Sequence, residues 1–301
     1  MVVRSLDEGF EQFLDRLTPR DEDVTAAEGL REEIKECLEA RFGLYAFFRG
    51  GSSLSDTGVR GYSSVDYFAS MDEHRMTGEA LSFLDRVREV LVERFPRAKV
   101  VARPPGVLIS GDGEGRPPLK VIPARLVGQT EAGHHIYEIV DGAGGWMYSS
   151  PDAHSDYIAS TDYMLEGKLK SLIRLLKAWK YVRDVPISSF YLELRCAAYA
   201  SAEKMIVYSV DLQHLLEQLW EDQLADIQDP REISGSIPGR MARTDRRKVI
   251  SSLRTALYHI SRAQETAAQG DLEEAFRYWN RVFNGHFSPA EHEALLPGGG
   301  R

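Results

Sequence analysis

Two cysteines in 301 residues, Cys37 and Cys196, provide neither a disulfide framework nor the paired Cys/His spacings that hold zinc. That scarcity fits a reducing cytoplasm, where the protein is expected to reside. Long apolar runs are missing as well. The most apolar stretch, Leu44–Phe48, is strand-length, and nothing approaches the roughly 18 uncharged residues of a membrane span. No membrane partner is expected, and residues 1–10 lack the basic and then apolar pattern of a secretory leader. Basic charge is also short, 37 Lys and Arg against 46 Asp and Glu for a formal net charge of −9, which argues against an extended nucleic acid as partner. A local basic cleft remains compatible with that total.

What the chain does contain is core-forming material. Its 43% hydrophobic and 28% charged residues exclude global disorder, and its length calls for one large or two closely joined domains. Helical periodicity marks about Ser5–Leu17 and Thr25–Phe42, the latter with Leu30, Ile34, Cys37, Leu38 and Phe42 on one side. Cys37 is therefore expected to be an inert core thiol. Short β-branched and aromatic runs then imply a sheet: Leu44–Phe48, Val65–Ala69, Lys99–Ala102, Val107–Ile109, Leu119–Ile122 and Ile136–Ile139. One helix, Gly78–Phe95, interrupts them. Gly111-Asp112-Gly113-Glu114-Gly115 lacks the Lys-Ser/Thr of a phosphate loop and reads as a hairpin turn.

After Trp146 the texture turns helical. Leu165 to Trp179, Tyr191–Met205, Leu212–Asp226, Asp245–Ala268 and Leu272–Phe283 carry apolar stripes, and the four tryptophans read as core. The Arg-rich stretch from Asp229 to Arg247 reads as a loop or an anion-binding lid with Arg240, Arg243, Arg246 and Arg247. The eight histidines show no metal-ligand spacing. Frayed ends are expected at the final Pro-Gly-Gly-Gly-Arg.

The chemistry concentrates between Phe48 and Phe68. Gly51-Ser52 follows a strand, then come Thr57, Arg60, Gly61 and Ser63, then Asp66 on the next strand. A Gly-Ser turn lets backbone amides approach a triphosphate, and carboxylates two residues apart on a strand share a face on which they can hold magnesium. This order resembles the bacterial cGAS/DncV-like nucleotidyltransferases, the CD-NTases, relatives of animal cGAS and oligoadenylate synthase within the polymerase-β-like superfamily. Their pattern, Gly-Ser, four residues, Thr, five residues and Ser-Asp-x-Asp, is matched in spacing by Gly51-Ser52, Thr57 and Ser63-Ser64-Val65-Asp66, with Ser64 at the first Asp position. Further resemblances are Lys120-Val121-Ile122-Pro123-Ala124, Trp146 to Pro151, Leu175 to Trp179 and Ser189 to Glu193.

The resemblance implies an α+β fold: a nucleotidyltransferase sheet in residues 1–160, buttressed by the Thr25–Phe42 helix, and a helical domain in residues 161–301 that closes a nucleotide cleft. It implies antiphage signalling of the CBASS type, with a nucleoside triphosphate or nucleotide messenger as ligand and a protein partner from a defence operon. It also exposes two departures. Ser64 stands where the first metal carboxylate is expected and Lys120 where the third is, which leaves Asp66 as a remnant and a doubtful metal ligand. Two magnesium ions about 4 Å apart repel each other and need the missing negative charge. A protonated lysine cannot serve as general base. Asp56, Asp72, Asp112 and Glu114 lack same-face spacing with Asp66. Magnesium is thus expected only if catalysis survives.

Binding can outlast catalysis. Gly51, Ser52 and Lys120 are candidate phosphate contacts, and Lys170, Arg174 and Lys177 form a basic helical stripe that reads as a solvated face or, through Lys177, as a triphosphate contact. Ser189 and Phe190 resemble a base-binding pair. The leading expectation is a nucleotide-binding protein without two-metal catalysis. An active synthase of a cyclic or linear oligonucleotide messenger and a scaffold with no nucleotide are the rivals.

Overall fold

The computed structural model describes residues 5–22, 25, 29–111, 117–239 and 243–287. These fall into two compact units, one of residues 19–157 with 231–235, the other of residues 5–18, 158–230 and 236–287. Asp112, Glu114, Arg240, the Gly111–Gly115 turn beyond Gly111 and the C-terminal Gly-rich end lie outside the described residues.

The first unit is built on a seven-stranded sheet: β1 (Leu44–Gly50), β2 (Val65–Met71), β3 (Lys99–Arg103), β4 (Gly106–Ser110), β5 (Leu119–Gln129), β6 (His135–Val140) and β7 (Trp146–Ser149). The order is β1-β2-β5-β4-β3, with β6 on the distal half of β5 and β7 beyond it. Only β2 and β5 run parallel, which requires the long crossover that the intervening helix and hairpin supply. Each expected strand is present, and β7 is an addition that its four-residue length and polar neighbours concealed.

Two helices bury their apolar stripes on one face of this sheet. The helix Arg31–Phe42 offers Ile34, Leu38 and Phe42, and the helix Ala80–Arg94 offers Ala80, Phe83, Leu84, Val87 and Leu91. Both pack on Val65, Tyr67, Ala69, Met71, Val107, Ile109, Leu119 and Val121, the alternate positions of β2, β4 and β5. On the other face, Phe68, Ile122, Ala124, Tyr137 and Ile139 form a smaller cluster, with Phe48 against it. Cys37 is only half-buried, its Sγ 3.9 Å from the Val90 carbonyl, and desolvation raises its pKa.

The second unit is helical: Leu6–Leu17, Lys168–Val182, Ser189–Ala200, Tyr208–Glu221, Arg243–Ala268 and Leu272–Val282. The helix Pro151–Met164 runs across the boundary between units and was not marked by periodicity, because its buried positions include His154 and Asp162 beside Ala153 and Ile158. Leu6–Leu17, which the division at residue 160 assigns to the sheet, groups with these helices. The cause is aromatic: Phe10 meets Trp279 and Phe287 edge-on at 4.8 and 4.9 Å, and Phe13 meets Phe283 at 4.7 Å. Trp179 and Trp279 are core as expected, whereas Trp220 is 39% exposed near the end of its helix. Among the described residues, no helix is long and apolar enough to cross a membrane.

Phe13 is fully buried in this cluster. Phe13→Ala is expected to cost about 3–5 kcal/mol in urea unfolding; a loss below about 1 kcal/mol would show that the first helix is not part of that core.

Candidate functional site

The site is assembled where β1 turns away from β2. Gly50 lies opposite Asp66 in the antiparallel register, and a Cβ on Gly50 would stand 2.4 Å from the Phe68 ring. Gly51 follows at φ +56, and a Cβ there would fall 2.6 Å from Asp66 Oδ2. Both glycines are thus needed for close approach, and Gly51 also for its left-handed backbone. The chain continues into the single turn Gly51–Leu54, where Ser53 donates to the Gly50 carbonyl at 2.8 Å and the Thr57 amide donates to the Ser52 carbonyl at 3.0 Å. Ser52 is half-exposed in that turn, and Thr57 is fully buried beneath it.

Asp66 is 8% exposed and occupied at both oxygens. Ser64 Oγ donates to Oδ1 at 2.5 Å, and Lys120 Nζ donates to Oδ2 at 3.5 Å. The second contact follows from strand pairing, since Asp66 and Lys120 are register partners in the parallel β2–β5 ladder and so project to the same face. The serine and the lysine stand at the two positions where the resemblance expects carboxylates.

This donor set does not fit a pair of divalent cations. Two such ions need several anionic oxygens, and the site offers one carboxylate already neutralised by an ammonium. Among the described residues no cluster of three His, Cys, Asp or Glu side chains is placed to hold a metal. Asp72 is engaged as a cap, accepting from the His74 amide at 3.0 Å, and Asp56 is exposed at φ 53 in the loop after the turn.

The helical-unit candidates are arranged differently from a solvated stripe. Arg174 is 5% exposed and Lys177 1%, so the helix Lys168–Val182 buries both. Lys177 Nζ donates to Glu193 Oε1 at 2.5 Å. Glu193 stands in the Ser189–Ala200 helix, in the segment that carries the resemblance, yet sequence reading gave it no role; a lysine flanked by Leu176 and Ala178 on an apolar helix was the signal for a buried partner. Ser189 accepts from Lys180 Nζ at 2.6 Å and lies 3.2 Å from the Tyr181 hydroxyl, while Phe190 is half-exposed. In the Arg-rich stretch, Arg246 donates to the Gln223 carbonyl at 3.0 Å, which accounts for one of the four arginines offered as a lid.

The buried pair yields a direct test. Glu193→Gln removes the carboxylate charge from beside the buried Lys177 ammonium, and unfolding should show a loss of about 3–5 kcal/mol. A loss under about 1 kcal/mol would mean that Lys177 is not held as described.

No protein-family model matches the chain. A probable cyclic nucleotide synthase of Bacillus cereus (strain VD146) is 23% identical over 177 residues, 57% of this chain and 52% of the relative, so the match spans about half the relative's length. Among solved structures, Escherichia coli MS115-1 CdnC in complex with HORMA-deltaN aligns over 94% of this chain and 98% of that one, with a TM-score of 0.71 and 17% identity. The structure of the same CdnC with ATP gives 0.71 and 18% over the same shares. Vibrio cholerae DncV cyclic AMP-GMP synthase, in complex with a linear intermediate, aligns over 94% and 86% at 0.62 and 15%. These likenesses, over nearly the whole chain, show that it carries the fold of the bacterial cGAS/DncV-like nucleotidyltransferases.

Proposed function

We propose that this protein binds a nucleotide through its Gly-Ser turn and Lys120, and that it has lost two-metal nucleotidyl transfer. The observation that carries the reading is the Asp66 carboxylate held between Ser64 and Lys120. A lysine ammonium has three donors, of which the bond to Asp66 uses one, and the Lys120 side chain is 24% exposed. It can therefore supply to a polyphosphate the positive charge that a metal ion would otherwise bring. The amides and hydroxyl of Gly51-Ser52 add donors from the turn. Ser189 and Phe190 are the proposed nucleobase contacts. Lys177, already bonded to Glu193, would have to exchange partners to meet a phosphate. Antiphage signalling in a CBASS-type system, in the cytoplasm and with a protein partner encoded nearby, belongs to this proposal. CdnC has been solved both with ATP and with HORMA-deltaN, which supports looking for a nucleotide and a protein partner here.

One observation favours the rival of an active enzyme: the curated relative is described as a probable cyclic nucleotide synthase. The two readings separate in one reaction. Incubation with the four ribonucleoside triphosphates and Mg²⁺ or Mn²⁺ is expected to give no linear or cyclic oligonucleotide by mass spectrometry, and an abundant product would establish the synthase instead. ATP or GTP is expected to raise the melting temperature by about 2–5 °C in the presence of EDTA. Absence of any shift would leave the scaffold reading.

A further inference from the structure

Successive residues on a strand face opposite ways, so Tyr67 points away from the side of the sheet that bears Asp66. On that side Tyr67 is the register partner of Arg49, and the two line an open cavity of about 440 Å³ together with Arg31 and Glu32. Arg31 and Glu32 open the helix Arg31–Phe42, whose N-cap Leu30 gives the first turn no side-chain acceptor. The Tyr67 ring stacks on Phe47 at 5.0 Å, and the Arg31 guanidinium lies 5.8 Å from its centroid. Tyr67 is 1% exposed, and its buried hydroxyl has no hydrogen-bond partner. A buried hydroxyl is costly to leave unmet, and a ligand accepting its proton would recover that cost. Two arginines against one glutamate make the lining net positive, and the dipole of a helix start favours an anion.

We propose that this cavity is a second ligand site, separate from the one at Asp66, for a small organic anion that presents a phosphate or carboxylate group to Arg31, Arg49 and the Tyr67 hydroxyl. Its volume lies within the roughly 300–1,000 Å³ of ordinary small-molecule sites.

The test is thermal shift on the full chain with inorganic phosphate and, separately, citrate, each against sodium chloride of matched ionic strength. At saturation either anion should raise the melting temperature by about 2–5 °C, and the stronger of the two identifies the group recognised. Arg49→Lys should weaken the response at least tenfold in anion concentration. Tyr67→Phe, which deletes an unmet hydroxyl, should keep the protein folded without anion yet respond less to it. Lys120→Ala, on the opposite face, should leave the response in place, which separates this site from the nucleotide reading. Equal melting in chloride and in both anions, or a response lost with Lys120→Ala and kept with Arg49→Lys, would overturn the proposal.

Discussion

The parallel pairing of β2 with β5 is the constraint on which the rest of the site depends. It sets Asp66 and Lys120 side by side on one face, and the turn at Gly50-Gly51 brings the backbone of β1 against the same carboxylate. In such a position a second carboxylate would repel Asp66 unless cations lay between them. A lysine reverses the sign, and the pair needs no further ion to be stable. Ser64 completes the neutral arrangement by donating a hydroxyl to the remaining oxygen. The fold likeness to solved nucleotidyltransferases thus goes together with a poor donor set for metals.

The same economy of charge recurs in the helical unit, where Lys177 and Glu193 are buried together. Taking two charges out of water is costly unless they meet closely, and at 2.5 Å they do. The surrounding core is apolar and aromatic, with Phe10, Phe13, Trp279, Phe283 and Phe287 joining the first helix to the last. That junction spans nearly the whole sequence, so the N-terminal helix contributes to a unit formed chiefly by the second half of the chain.

Much of this was legible beforehand, for physical reasons. Short β-branched and aromatic runs marked six of the seven strands of the large sheet, and the 3.6-residue stripe marked most helices, because a helix buries one continuous face. Ser64, Asp66 and Lys120 were singled out by the family resemblance, and the β2–β5 register sets Asp66 opposite Lys120. What escaped was whatever depends on contact between distant segments. The first helix could not be assigned to its unit from its own pattern, since only Trp279, Phe283 and Phe287 show where Phe10 and Phe13 belong. Pro151–Met164 was hidden by buried His154 and Asp162. The basic stripe looked solvated or ligand-facing because Glu193 lies on another helix, and the cavity beside Tyr67 is visible only once β1 and β2 are in register.

The central claim is that Lys120 stands in for a metal ion at the phosphates. Calorimetric titration of ATP into the wild-type chain and into Lys120→Ala, each with Mg²⁺ and with EDTA, tests it most directly. The account predicts wild-type binding that EDTA leaves unchanged and that Lys120→Ala weakens at least tenfold. Binding that requires Mg²⁺ and survives Lys120→Ala would contradict it.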